Sequence, residues 1–579
     1  MITKFRTSLA YRAIGLALLW LALGAVTARA ADVLNHVPDT ALAVVVVNNA
    51  EKGSEKVDRL AAQLMLPTPS VLNLLTGRAN IEKGLKTDGP AAAIVFAPRD
   101  GRSAPRGMLL LPTDDYDALI AQLDPDDTKD KKTPLTLADK LMVAAKVGDY
   151  AAFVEPRDEA LLDDVLSGKT SIGSQVGDMA KWLDAQDAYA LATSSGIAMA
   201  AEKILEAMEQ AKDQFDNLGT EEQVETIKMV FAMYGDLFKT AKSELAFAAL
   251  GVRGEDKGLH MTSRMAFKSG SAADKFAATV SAPKQKLLSG LPSGDFVFAG
   301  GAEFSAKSMK YFYDWSAKMM RSMPGGKDLK QEDIDTLMKL SAEQMAGLKS
   351  ASFAMYVPEA DAALYESIVA VMNVKDSAAF MSSYANSIEA MTALAKKVKS
   401  PFLTEGSVEK TKIDGKAALE LTLKMPAAAG DPTTAELMKK MFGNAENIKA
   451  YIVAIDAKTV ALGYVSPDAV RRAMKAAGGK GIAANTNVMK AAELLPEGCQ
   501  VVSFLSPKGL IDMVIRLVPG VEFSPVPALV GDFPNTPPIG FGIKVSASGV
   551  ETDMVVPEET LEAIGTTIAR ARAVSFESR

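Results

Sequence analysis

Three stretches of the chain start a strand with the same phrase. They are Val37-Pro38-Asp39-Thr40-Ala41-Leu42-Ala43-Val44-Val45, Leu291-Pro292-Ser293-Gly294-Asp295-Phe296-Val297-Phe298 and Leu495-Pro496-Glu497-Gly498-Cys499-Gln500-Val501-Val502. In each, a proline turn precedes a β-branched or aromatic run, because proline fixes φ and has no N–H to donate inside the ladder that follows. Gln186-Asp187-Ala188-Tyr189-Ala190-Leu191-Ala192 opens a fourth strand without the proline. A recurring phrase marks a recurring supersecondary unit: a strand, one or two helices, a two-stranded hairpin, then a helix.

The unit also closes in a regular way. A hairpin strand runs into a polar or proline turn and an acidic helix start at Leu111-Pro112-Thr113-Asp114-Asp115, Val154-Glu155-Pro156-Arg157-Asp158, Val465-Ser466-Pro467-Asp468 and Val556-Pro557-Glu558-Glu559. Proline suits the first helical turn, and carboxylates there complement the helix dipole. Asn373-Val374-Lys375-Asp376-Ser377 and Phe267-Lys268-Ser269-Gly270-Ser271 are looser versions.

These marks predict an α+β fold of antiparallel or mixed sheets, with long helices packed on one face, in two related halves. The first half is 31–283, with units near 31–125, 135–168 and 185–283. The second is 284–579, with units near 284–398, 405–478 and 490–572. Pro38 and Pro292 lie 254 residues apart and Pro156 and Pro467 lie 311 apart, so the second half carries 57 extra residues. They are expected around Pro401 to Gly443, where Val408–Ile413 and Ala417–Leu423 form a hairpin turned by Asp414-Gly415, followed by a polar loop from Ala427 to Thr434. Ile197–Asn217 and Thr220–Ser243 read as an amphipathic helical hairpin turned at Leu218-Gly219. Ser305–Met323 and Gln331–Ala346, turned at Pro324-Gly325-Gly326, form its expected counterpart. Many of the 28 methionines fall on such apolar faces, as core filling or as a groove for an apolar ligand.

Residues 1–30 read as a secretory signal peptide. Lys4, Arg6 and Arg12 precede an uncharged run from Ala13 to Ala28, and Ala28-Arg29-Ala30 supplies the small residues a signal peptidase accepts, so cleavage is expected before Ala31. Cleavage removes four positive charges, Lys4, Arg6, Arg12 and Arg29, and no negative ones, taking the net charge from −7 to −11. An acidic chain of this kind lacks the basic face that phosphate backbones require, which argues against nucleic acid, and it repels anionic lipid. No later segment has the length of apolar chain that a span needs. The expected address is therefore outside the cytosol, periplasmic or extracellular.

Chemistry is sparse in this sequence. One Cys and two His exclude a disulfide framework within the chain and leave little for a His/Cys metal site. Cys499, near the start of a strand, reads as a buried small hydrophobe. His36 and His260 lie far apart, and neither has an evident partner. Gly168-Lys169-Thr170 resembles the end of a phosphate-binding loop, but Asp163 stands where the first glycine belongs, so Gly168 reads as a helix cap. The acidic run Asp124–Asp130 lacks the glycine and glutamate of a calcium loop and reads as a solvated linker. The prolines Pro525, Pro527, Pro534, Pro537 and Pro538 read as a rigid connector. No residue receives a catalytic, cofactor or metal role.

The opening Val37-Pro38-Asp39-Thr40-Ala41-Leu42-Ala43-Val44-Val45-Val46-Val47, behind a signal peptide and ahead of recurring strand-hairpin-helix units, resembles a loose group of large secreted bacterial proteins of unknown function. That resemblance implies export and a repeated α+β build, and it carries no catalytic residues. The expected function is a soluble, exported, non-enzymatic binding or scaffolding protein of the cell envelope, with an envelope protein as partner. One alternative is a carrier of an apolar small molecule held between Met-rich helices and a sheet. The other is an enzyme whose carboxylates converge from distant segments.

Overall fold

A computed structural model describes residues 30–66, 71–99, 104–126, 131–168, 170–215, 221–284, 286–304, 330–359, 362–397, 405–424, 438–443, 447–477, 481–517 and 530–577. The chain runs α1 (Ala30–Leu34), β1 (Ala41–Val47), α2 (Ala50–Gln63), α3 (Val71–Ala79), β2 (Ala91–Phe96), β3 (Arg106–Pro112), α4 (Tyr116–Ile120), β4 (Lys132–Leu137), β5 (Lys140–Val147) and β6 (Tyr150–Val154). It continues through α5 (Ala160–Ser167), α6 (Met179–Asp184), β7 (Ala188–Thr193), α7 (Ser194–Phe215), α8 (Glu221–Glu244), β8 (Leu245–Glu255), β9 (Gly258–Phe267), α9 (Ala272–Ala277) and β10 (Phe296–Glu303). Then follow α10 (Gln331–Gly347), β11 (Leu348–Tyr356), β12 (Ile368–Val374), α11 (Ser377–Lys397), β13 (Gly406–Ile413), β14 (Lys416–Lys424), β15 (Asn447–Asp456) and β16 (Thr459–Tyr464). The last elements are α12 (Asp468–Ala476), α13 (Thr486–Glu493), β17 (Val501–Leu505), α14 (Pro507–Leu517), β18 (Ile539–Ser546), β19 (Gly549–Pro557) and α15 (Glu558–Glu577).

The fold is α+β, and among the described residues the strands form one 19-stranded sheet. From one edge to the other the order is β4-β5-β6-β3-β2-β1-β7-β8-β9-β19-β18-β17-β10-β11-β12-β16-β15-β14-β13. Each of these pairings is antiparallel, so the mixed-sheet alternative falls away. The ladder at the middle joins β9 to β19, with Thr262 opposite Asp553 and Met261 opposite Met554. At the far edge β13 carries exposed Ser407, Glu409, Lys410, Thr411 and Lys412, a charged rim that discourages another strand from adding.

The expectation of helices on a single face does not describe the outer strands. Along β6, Ala152 and Val154 join one core with α5 and α6, while Ala151 and Phe153 join another with Leu119 and Ile120 of α4. Along β16, Ala461 packs with Ala469, Val470 and Ala473 of α12, while Val460 packs with Phe380, Met381 and Ala385 of α11. A strand covered on both faces must be apolar at successive positions, and Tyr150-Ala151-Ala152-Phe153-Val154 meets that demand.

Local signals place the elements where the sequence expects them. Asp414 and Gly415 both take left-handed φ, 49° and 82°, as a two-residue hairpin turn between β13 and β14 requires. Gly168 ends α5 at φ 59° in the left-handed cap conformation. Pro112 and Pro557 differ from expectation: they are the last residues of β3 and β19 rather than helical residues. The turns at Leu218-Gly219 and Pro324-Gly326, the helix Ser305–Met323, the loop Ala427–Thr434 and most of the leader lie outside the described residues.

Asn485 caps α13, its side chain accepting from the backbone N–H of Asn487 at 2.9 Å and of Val488 at 3.2 Å. Asn485→Ala is expected to lower stability by about 1 kcal/mol, read as a shift of the urea midpoint without a change of slope.

Candidate functional site

Polar side chains are gathered at the middle of the sheet. His260 on β9 and Asp553 on β19 are each 1% exposed, and His260 Nδ1 stands 3.1 Å from both carboxylate oxygens. With the proton on Nδ1 the ring donates to the carboxylate. Arg253 of β8 sits opposite His260, its guanidinium 4.0 Å from Asp553 and 2.7 Å from Glu255. Gly251 has no Cβ, and the Gln186 side chain lies where one would be. Gln186 Oε1 accepts from Thr262 Oγ at 2.9 Å, and its Nε2 donates to the Trp182 carbonyl at 2.9 Å.

Beside this cluster, α2 and α15 flank the β8–β9 turn. Lys56 Nζ donates to both oxygens of Asp187 at 3.1 Å and to the Gly254 carbonyl at 2.7 Å, and Gly254 N–H donates back to Asp187 at 2.6 Å. Gln63 Nε2 donates to Glu558 at 3.0 Å. The cleft among these groups has a volume of only about 40 Å³, room for little more than one water. Its charged groups are engaged with each other, which makes it a clamp between helices and sheet.

The His260–Asp553 pair has two members of a hydrolytic triad and lacks the third. Such a triad needs a hydroxyl or thiol within hydrogen-bond reach of the free ring nitrogen. His260 Nε2 is buried without a hydrogen-bond partner, and the nearest acid, Glu255, stands 4.0 Å away. The sequence did not signal this pair, because its members are 293 residues apart and are brought together only by the β9–β19 ladder.

His36 lies elsewhere, tilted against the Tyr150 ring with centroids 5.1 Å apart and close to Gly148. Desolvation holds its pKa below the ordinary 6.5, while Asp149 and Asp32 act in the opposite direction. The unfolded chain therefore takes up this proton at a higher pH than the folded one. Stability is expected to be constant above pH 6.5 for this group and to fall as pH drops from 6.5 toward the folded pKa. Comparing urea midpoints of the parent and His36→Gln across that range checks this; the variant loses that part of the slope.

A second concavity lies under the other part of the sheet. It has a volume of about 310 Å³ and is walled by Leu287, Val488, Ala492, Leu495, Val502 and Phe504, with Met489 at its rim. Cys499 is in its wall, buried as the sequence suggests. Its Sγ donates to the Pro496 carbonyl at 3.1 Å, and burial pushes the thiol up to about 11. The sequence suggests a site between Met-rich helices and a sheet; this concavity lies between α13 and β17, and of its helical wall only Met489 is a methionine.

The remaining sequence features are accounted for locally. Of the run Asp124–Asp130, residues 127–130 lie outside the described part, and Asp126 N–H donates to the Pro134 carbonyl at 2.9 Å. Among the described residues, no group of three or more His, Cys, Asp or Glu is arranged to hold a metal ion. The described end of the proline-rich loop is tied down, with Asn487 Nδ2 donating to the Asn535 carbonyl at 3.1 Å and Thr560 to the Pro537 carbonyl at 2.5 Å. Among the described residues no helix is long and apolar enough to cross a membrane. Ala28 lies outside the described residues, while Ala30 and Ala31 begin α1. Comparison with known proteins finds no matching family model, no matching curated protein and no matching solved structure.

Proposed function

We propose that the chain is an exported, non-enzymatic binding or scaffolding protein of the cell envelope, built from two related halves that meet at the β9–β19 ladder. The observation that carries the non-enzymatic reading is the sealing of the one His–acid pair: both members are 1% exposed, and the free ring nitrogen faces no nucleophile. A buried pair of this kind suits a role in fixing which strands meet.

The duplicated build is supported by strand order and register. Outward from the ladder, β9-β8-β7-β1-β2-β3-β6-β5-β4 on one side corresponds to β19-β18-β17-β10-β11-β12-β16-β15-β14 on the other, with β13 added beyond. The register shift between Ala41 and Ala43 recurs between Phe296 and Phe298. Asp187 N–H donates to Val252 at 2.8 Å as Gln500 does to Ile543 at 2.9 Å, and Ile172 donates to Val37 at 3.0 Å as Ile482 does to Leu291 at 3.3 Å. Gly196 and Gly509 each leave no room for a Cβ against a carbonyl, those of Leu42 and Phe296.

In this reading β14 is the counterpart of β4, and β13 is the added strand within the expected insertion. The helical hairpin α7–α8, which follows β7, corresponds to the segment after β17, so its pairing with residues 305–346 is one unit out of step. Export is supported by the basic start, the apolar run and the small residues Ala28, Ala30 and Ala31, and the resemblance to secreted proteins points the same way.

Expressing the full chain with a C-terminal tag tests this reading. The expected product begins at Ala31 and is recovered from the periplasm or medium. A product retained in the cytosol with its leader intact overturns the export reading. Turnover in a broad hydrolase panel that His260→Asn abolishes overturns the non-enzymatic one.

A further inference from the structure

The 310 Å³ cavity has a counterpart position in the other half, where buried side chains stand. This comparison rests on the pairing of positions proposed above. In the first half the opposed residues Val46 and Tyr189 are both 0% exposed, and Tyr189 is among the largest wholly buried side chains. The matching pair in the second half is Gly301 and Val502. A Cβ on Gly301 would meet Leu287 and Leu288 at 3.1 Å, so that place is taken by the chain before β10, and the room comes from a valine where the first half has its tyrosine. The chain ahead of the first strand differs in the same direction. Val33 and Leu34, just before Val37, are wholly buried in α1. Leu287 and Leu288, at the same distance before Leu291, are not helical; Leu287 stays partly exposed, and Leu288 takes a left-handed φ of 71°. The overlying helix offers Met179, Trp182 and Leu183 in the first half, but Val488, Met489 and Ala492 around the cavity in the second.

The shorter Val502 side chain and the altered segment before β10 border one concavity, open to solvent on one side, with a volume roughly twice the ~150 Å³ that encloses a benzene molecule in an apolar protein cavity. Its lining residues carry no charge. Its one sulfur donor is already committed to the Pro496 carbonyl, and its side chains supply no nitrogen or oxygen. The chemistry that fills the counterpart space, an aromatic ring among aliphatic side chains, is the chemistry this cavity is shaped to take. We propose that the cavity binds one small uncharged apolar molecule, an aromatic bicycle or a medium-length alkyl chain, entering past Met489.

The test is titration of the purified mature protein with phenylnaphthylamine, a neutral probe whose fluorescence rises in apolar surroundings. The expected result is saturation at one probe per chain, with displacement by decanol. Val502→Tyr, which restores the first-half residue, is expected to weaken binding by about tenfold or more without lowering the melting temperature. Ala492→Leu fills the space from the helix side and is expected to weaken binding similarly, so the test survives if the strand variant fails to fold. Fluorescence that does not saturate, or binding that persists unchanged in the folded filled variants, overturns the proposal. An exported, folded chain that binds no probe overturns this inference alone and leaves the duplicated scaffold standing.

Discussion

Replacing Asp553 with alanine is expected to lower the stability of the mature chain by about 3 kcal/mol, the upper end of the usual effect of leaving buried hydrogen-bonding groups without their charged partner. The carboxylate is 1% exposed and accepts from His260, with the Arg253 guanidinium 4.0 Å away. Without it, the buried imidazole keeps only the Arg253 Nη2 contact at 3.4 Å to its Nδ1, and the guanidinium loses a counter-charge. The double variant His260→Leu/Asp553→Leu is expected to regain most of the loss, because paired apolar groups of similar size meet no desolvation penalty. Arg253 retains Glu255 at 2.7 Å in that variant. Urea unfolding of the parent, the single variant and the double variant decides the matter. A double variant as unstable as the single one would show that the pair is not what these groups contribute.

Phe153→Ala is expected to lower stability by about 3–5 kcal/mol, from lost transfer free energy and the cavity left behind. Phe153 is 0% exposed, opposite Leu109 of β3 and Ala144 of β5, in a core with Leu119, Ile120 and Leu135. The contrasting substitution is Leu250→Ala, where the side chain is 63% exposed and the expected change is within about 0.5 kcal/mol. Thermal unfolding of the two variants side by side checks the contrast. A small effect at Phe153 would contradict the covering of β6 on both faces.

Features governed by neighbours in the chain were legible in the sequence. The strand openings before β1, β10 and β17 and the β13–β14 turn follow from proline's missing donor and from residues that tolerate a left-handed backbone. The same holds for the cap at Gly168, and the residue type alone points to a buried Cys499. What depends on the meeting of distant segments was not legible. The His260–Asp553 pair spans 293 residues, and nothing near either residue announces the other. The cavity beside Cys499 is walled by the segment before β10, by α13 and by β17, three stretches far apart in the sequence. The double covering of β6 was written in its unbroken apolar run, but a run of five such residues reads equally well as a segment of a buried helix.

The most direct measurement is a cysteine cross-link across the central ladder. Met261 and Met554 stand opposite each other there, the former 40% exposed. In a Cys499→Ser background, which removes the only native thiol, Met261→Cys and Met554→Cys are expected to form an intrachain disulfide under mild oxidation in high yield. Peptide mapping would find the two β9 and β19 peptides joined. A folded double-cysteine chain whose thiols stay free would mean that the two strands do not meet, and the account of two halves sharing one sheet would be wrong.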